Sequence, residues 1–121
     1  MPLRSYCPIA GTLDIVGDRW SLLIVRDLLY GERRYGDLAT SWESIPTNTL
    51  ADRLKRLEDA EIVARERYSD RPPRYSYRLT GKGRALGPIL EAITEWGLAH
   101  IPGTRVVSPP AAGSAAPATG G

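Results

Sequence analysis

The chain has 121 residues, 42% hydrophobic and 25% charged, enough for one compact core and little beyond it. No apolar run approaches the roughly 20 residues of a membrane span, and the start, MPLRSYCPIAG, lacks the apolar region of a secretory signal. A cytoplasmic protein that meets no membrane is therefore expected, and the single cysteine, Cys7, which has no partner for an internal disulfide, suits a reducing compartment. The net charge of +2 is unevenly placed. Between Arg65 and Arg84 seven basic residues stand against Glu66 and Asp70, a local charge of +5 that leaves −3 for the rest. Such a chain is suited to meeting a polyanion on one side. Arginine supplies 14 of the 16 basic residues, and its planar fork matches phosphate and guanine edges.

The elements follow in order. PIAGTLDIVG places Ile9, Leu13 and Val16 at helical spacing, with Pro8 in a first turn and Gly17 as a stop. DRWSLLIVRDLLYG predicts the central core helix, with Asp18 as N-cap, a stripe of Trp20, Leu23, Ile24 and Leu28, and Gly31 beyond its end. RRYGDLATSW reads as a third, shorter helix that turns Tyr35 and Leu38 inward and breaks at ESIP. TNTLADRLKRLEDAEIV then aligns Leu50, Leu54, Leu57 and Glu61. At about 100° per residue the opposite face carries Asn48, Thr49, Asp52 and Arg56, flanked by Arg53 and Lys55.

IVARERY and RYSYRLT alternate around an SDRPP break, which predicts an antiparallel hairpin. One face is expected to carry Arg65, Arg67 and, across the turn, some of Arg74, Ser76 and Arg78; the other holds Val63 with Tyr75, Tyr77 and Leu79. GKGRALGPILEAITEWGLAHI reads as one last helix, with Leu86, Ile89, Leu90, Ile93, Trp96 and Gly97 in a broad apolar stripe. The domain is expected to span residues 1–102. Residues 103–121, rich in Pro, Ala, Gly and Ser without period, read as a disordered tail. The fold class is mainly α with a small β-hairpin. Two helices joined by a short turn and followed by a basic hairpin describe a winged helix-turn-helix, in which the second of those helices enters the major groove and the hairpin reaches phosphates or a neighbouring groove.

From about Cys7 to Gly97 the sequence also resembles the HxlR-type regulators of bacteria, relatives of the MarR winged-helix group. The resemblance rests on CPIAGTLDIVGDRWSLLIVRDLL, RRYGDL, IPTNTLADRLKRLE, PPRYSYRLTGKGRAL and EWG, in the family's order and with its usual gaps. It implies a homodimer built through the terminal helices, double-stranded DNA as partner, and regulation of transcription, often in response to a small molecule or a reactive electrophile. The chain departs from the pattern at Ser44 and Glu61, where the family commonly has glycine. If Glu61 sits in a left-handed backbone, the missing glycine costs on the order of 1 kcal/mol.

Candidate DNA contacts are Thr47, Asn48, Thr49, Arg53 and Arg56 on the recognition helix and Arg65, Arg67, Arg71 and Arg74 on the wing. The competing readings are a merely solvated polar face and cross-strand pairing with Glu66 or Asp70, and Arg53 sits close enough to the leucine stripe to be structural. Cys7, just before Pro8, is a candidate redox or electrophile sensor if it caps the first helix, since the helix dipole favours a thiolate there; otherwise it is an inert cap. Trp20 and Trp96 are candidates to line an effector pocket near the dimer interface, or simply core. No phosphate loop, metal cluster or catalytic triad is visible, His100 has no partner at metal spacing, and neither a cofactor nor an enzymatic activity is expected. The rival class is a protein-docking module on the same fold; a thiol enzyme built on Cys7 has no histidine in the motif region to support it.

Overall fold

The computed structural model describes residues 4–109. Within them the elements run α1 (Pro8–Val16), α2 (Ser21–Leu28), β1 (Arg33–Arg34), α3 (Tyr35–Ala39), α4 (Thr47–Asp59), β2 (Val63–Asp70), β3 (Pro73–Leu79), α5 (Gly81–Arg84) and α6 (Gly87–His100). Asp18 is not the N-cap of α2, a place that Trp20 takes; it holds the turn that leads into the helix. Its carboxylate accepts from the Trp20 and Ser21 amides at 2.8 and 2.9 Å and from the Ser21 hydroxyl at 2.5 Å, which satisfies donors that the helix cannot. The helix then buries Ile24, Val25 and Leu28, and α4 lays Leu50, Leu54 and Leu57 against the same core.

Four expectations are corrected at the element level. RRYGDLATSW is not all helix: Arg33 and Arg34 form β1, paired with Tyr77 and Ser76, so the hairpin becomes a three-stranded antiparallel sheet in the order β1-β3-β2. The strands also run through most of SDRPP, leaving only Arg71 and Pro72 between them, with a register shift between Arg67 and Ser69. Glu61 is not in the leucine line; it lies past the end of α4 and is exposed, with φ at +63°. The last helix is two, because α5 ends at Arg84 and Pro88 takes a first-turn position of α6, where its missing N–H costs nothing.

The α4–wing–α5 junction is held by local chemistry. Thr80 caps α5 by accepting from the Gly83 amide at 3.0 Å, while its hydroxyl donates to the Glu61 carbonyl at 2.6 Å. Lys82 Nζ donates to the Ala60 carbonyl at 2.8 Å. Gly83 is required by proximity: a Cβ there would stand 2.2 Å from the Ile62 carbonyl oxygen. The left-handed turn at Glu61 is a built-in cost, since its side chain is exposed and gains little in exchange. Glu61→Gly is expected to raise stability by about 0.5 kcal/mol, the relief of left-handed strain less the added entropy of the unfolded chain, and Glu61→Val to lose about 1 kcal/mol or more. Urea denaturation of the two variants checks both signs.

The ends of the fold are apolar and uncovered. α6 has no buried residue, with Ile89, Ile93 and Trp96 all exposed, and α1 buries only Val16 while Ile9 stands 71% exposed. Past α6 the chain does not leave the fold at residue 103. Thr104 folds back, its hydroxyl donating to the Gly97 and Ile101 carbonyls at 3.1 and 2.8 Å, and the segment reaches Ser108, whose carbonyl accepts from Trp42 Nε1. The rest of the expected tail, residues 110–121, lies outside the described residues.

Candidate nucleic-acid interface

α3 and α4 are joined by the seven residues 40–46, in which Ser44 adopts φ +54°. Tyr35 of α3 donates its hydroxyl to the Thr47 carbonyl at 2.7 Å, clipping the first turn of α4 to the preceding helix. Arg26 of α2 clamps the turn from the other side. Its guanidinium meets Glu43 at 2.7 Å and the buried Asp27 at 2.9 Å. Hydrogen bonding to Glu43, against the desolvation of partial burial, raises the Arg26 pKa, and the same hydrogen bond holds the Glu43 carboxyl below the usual carboxylate range.

α4 presents what the leucine stripe leaves. Thr47, Asn48, Asp52 and Arg56 are exposed and Thr49 is half-exposed, so the first turn of the helix offers hydroxyl and amide groups to solvent and a guanidinium follows toward its C-terminal end. Asn48 Oδ1 accepts from the Thr49 amide at 2.9 Å, and Arg56 approaches Asp52 at 4.0 Å. Arg53 is different from its neighbours. Its Nε donates to Asp18 Oδ1 at 3.0 Å and its side chain is largely covered, so it bridges α4 to the turn before α2 while a second nitrogen meets Asp52.

Asp18 is thereby shared between that turn and an ion pair. Partial burial pushes its carboxyl up, but hydrogen bonds from the Ser21 hydroxyl, the Trp20 and Ser21 amides and Arg53 together outweigh this and hold it at about 2, below its ordinary 3.8. A depressed folded-state pKa contributes stability that is present above the unfolded value and is lost as pH falls toward the folded one, here between about pH 5 and pH 2. Asp18→Ala is expected to cost about 2 kcal/mol at pH 7 and to flatten the stability profile across that acid window, as read by urea denaturation at stepped pH.

The wing departs from the expected two-faced pattern. Register pairs Val63 with Leu79, Arg65 with Tyr77 and Arg67 with Tyr75, and directly opposed residues project to the same side. Arg65 and Arg67 therefore share the tyrosine face rather than opposing it. Their guanidinium carbons lie 4.1 and 5.7 Å from the Tyr75 ring centre, Arg65 reaches Glu58 of α4 at 3.2 Å, and Arg67 reaches Asp70 at 3.4 Å and the Tyr75 hydroxyl at 3.3 Å. Arg71 and Arg74, at the tip, are exposed and have no ion-pair partner among the described residues. One basic residue was missed in the sequence: Arg34 sits 4.5 Å over the Tyr68 ring, joining the wing through β1. Its only sequence signal was the arginine pair itself, since a two-residue strand has no periodicity.

The expected effector pocket is not assembled. Trp20 packs on the core and Trp96 is 61% exposed beside His100, ring centres 4.8 Å apart, and neither lines the cavity of about 800 Å³ between α2 and α6. Cys7 is exposed at the N-cap of α1 with no side-chain capping bond. Among the described residues no helix is long and apolar enough to cross a membrane, and no cluster of His, Cys, Asp or Glu is arranged to hold a metal.

Two helices across a tight turn, the second with a wholly buried apolar face and an open polar one, followed by an arginine-rich hairpin on a three-stranded sheet, make this a winged helix-turn-helix domain. The HxlR-like helix-turn-helix family matches residues 15–104, and the chain belongs to that family. It is 40% identical over 91 residues to an uncharacterized HTH-type transcriptional regulator, sll1512, of Synechocystis, covering 75% of this chain and 67% of that one. Among solved structures it is similar to the redox regulator HypR in its oxidised form (35% identity, TM-score 0.68, 84% of this chain and 100% of that one). It is likewise similar to the reduced transcriptional regulator YodB of Bacillus subtilis (30% identity, TM-score 0.68, 84% and 100%). The chain spans 63–67% of the length of sll1512 and of two mycobacterial HTH-type regulators that it also matches.

Proposed function

We propose that the chain is a sequence-specific DNA-binding regulator of transcription that acts in the cytoplasm as a homodimer on an inverted repeat. The observation that carries this reading is the pairing of an exposed polar face at the start of α4 with unpaired arginines at the wing tip, on a fold shared with HTH-type regulators. Asn48 and Thr49 read base edges in the major groove; Thr47 and Arg56 hold the helix against the backbone. Arg71 and Arg74 take phosphates or the minor groove, and Arg65 and Arg67 exchange weak surface ion pairs for phosphate. Arg53 positions α4 through Asp18 and contacts DNA with the nitrogen now on Asp52. The uncovered faces of α1 and α6 supply the dimer contact, placing two recognition helices about 34 Å apart or a multiple of it.

Regulation is assigned to Cys7, through oxidation or alkylation. The thiol is exposed at a helix N-terminus, and the similar HypR is a redox regulator. A small-molecule effector held by Trp20 and Trp96 draws no support from their placement. Fluorescence anisotropy with DNA from upstream of the chain's own coding region, against scrambled DNA at two salt concentrations, tests the whole reading. Salt-sensitive preference for the native sequence supports the regulator, and loss of an oxidation effect in Cys7→Ser supports the sensor. Equal, negligible binding to both DNAs across upstream fragments favours the protein-docking module.

A further inference from the structure

The segment after α6 has no part in DNA reading as described above, yet it ends on the reading turn. Gly103 adopts φ +86°, a left-handed conformation that reverses the chain, and Thr104 pins the reversal to the last turn of α6 through the Gly97 and Ile101 carbonyls. Residues 104–107 then line the open cavity between the end of α2 and the inward side of α6, against Leu29, Tyr30, Leu90 and Leu98. Ile89, Ile93 and Trp96 lie on the other side of α6 at 3.6-residue spacing, so the segment leaves the outer apolar face free. At Ser108 the chain meets Trp42, an indole 60% exposed in the middle of the α3–α4 turn, and accepts its Nε1–H. The residues on either side of Trp42, Ser41 and Glu43, are those held by Arg26, which itself lines the same cavity.

Two independent attachments thus converge on three consecutive residues of the turn, one from α2 and one from the chain beyond α6. We propose that residues 104–108 are a strap that couples α6 to the reading turn: seated, it holds Trp42 and pre-organises α4; released, it lets the turn move and weakens DNA binding. The seat is shallow. Val106 is 66% exposed and the far end is held by one hydrogen bond to an exposed side chain, so opening belongs to the low-cost local motions of the fold. A ligand or a neighbouring surface that competes for the cavity gains control of the turn without touching DNA, by shifting the population of the seated form. The affinity part of this inference rests on the DNA-binding reading; the seating part does not.

The test uses the full-length, 15N-labelled chain. The Trp42 indole resonance is assigned by its loss in Trp42→Phe, and the strap is unseated in two unrelated ways, by Gly103→Val, which a left-handed backbone resists, and by Val106→Asp, which puts a charge in the cavity. Both variants are expected to shift the Trp42 indole and speed its exchange with water about fivefold or more, with Trp20 and Trp96 unaffected. In both, and in Trp42→Phe, the DNA dissociation constant rises about three- to tenfold, and Trp42→Phe combined with Val106→Asp loses no more than either alone. An unmoved indole in both variants overturns the strap, and a moved indole with unchanged DNA affinity overturns the coupling. If the unaltered chain binds no DNA, the DNA reading fails by itself; amide exchange across residues 41–46 then decides, faster exchange in the variants sustaining the coupling and equal exchange overturning it.

Discussion

Replacing Arg71 and Arg74 together by alanine is expected to weaken binding to operator and to scrambled DNA alike, by on the order of 100-fold near 0.1 M salt. The slope of log affinity against log salt should shrink by about 2. Both side chains stand at the tip of the wing, exposed and without a carboxylate partner, so their charge is free to displace counterions from phosphate. Neither belongs to the core, and the folded state should keep its stability within about 0.5 kcal/mol. Asn48→Ala is the contrasting case: its amide carries no charge, so the salt slope should hold while discrimination at one base pair falls by about 1–3 kcal/mol. A double wing variant that binds DNA as tightly as the unaltered chain, with the same slope, would remove the wing from the interface.

The second large effect concerns assembly. Ile93→Asp is expected to convert a dimer to a folded monomer and to lower affinity for an inverted repeat on the order of 100-fold, because the two half-sites are then bound as separate events. The expectation follows from α6 itself. On this 14-residue helix no residue is fully buried and Leu90 is its contact with the core, so Ile89, Ile93 and Trp96, aligned outward, leave an apolar face that this chain does not cover. α1 shows the same imbalance, with Ile9 and Leu13 exposed and only Val16 inside. A charge at Ile93 sits harmlessly in water in the monomer and is costly only when a second copy covers it. Sedimentation and circular dichroism separate the outcomes: helical signal kept with mass halved supports the interface, and an unchanged dimer mass refutes it.

Much of this was legible in the residues, for reasons that can be named. α2 and α4 combine a turn residue or break with a stripe of leucine and isoleucine long enough to define a 3.6-residue period, and both helices appear where the stripe puts them, although α2 turns Val25 fully inward where the stripe had Leu23. β1 was not legible, because two residues carry no alternation and the strand exists only through its pairing with β3. The wing was legible as a hairpin, and alternation alone puts Val63, Arg65 and Arg67 on one face; what stands across from them was not legible. Which arginines share a side with Tyr75 and Tyr77 depends on cross-strand register, and a register shift sits between Arg67 and Ser69. The stripes of α1 and α6 were read as apolar, yet a stripe does not say whether its own chain or another one covers it. Among the candidate contacts, Thr47, Asn48, Thr49 and Arg56 are solvent-facing as their spacing implied, whereas the pairing of Arg53 with Asp18 joins residues 35 positions apart and has no local signature.

That same pairing divides the reading surface into positions that can diversify and one that cannot. On the proposed reading, a change at Asn48, Thr49 or Arg56 alters what the helix meets in the groove and leaves the Asp18 turn before α2 intact. A change at Arg53 abandons a carboxylate held at about 2 and loosens the start of the central helix at once. On the proposed reading, drift toward a new operator is channelled through Asn48 and Thr49, while Arg53 keeps the helix at the angle from which they read.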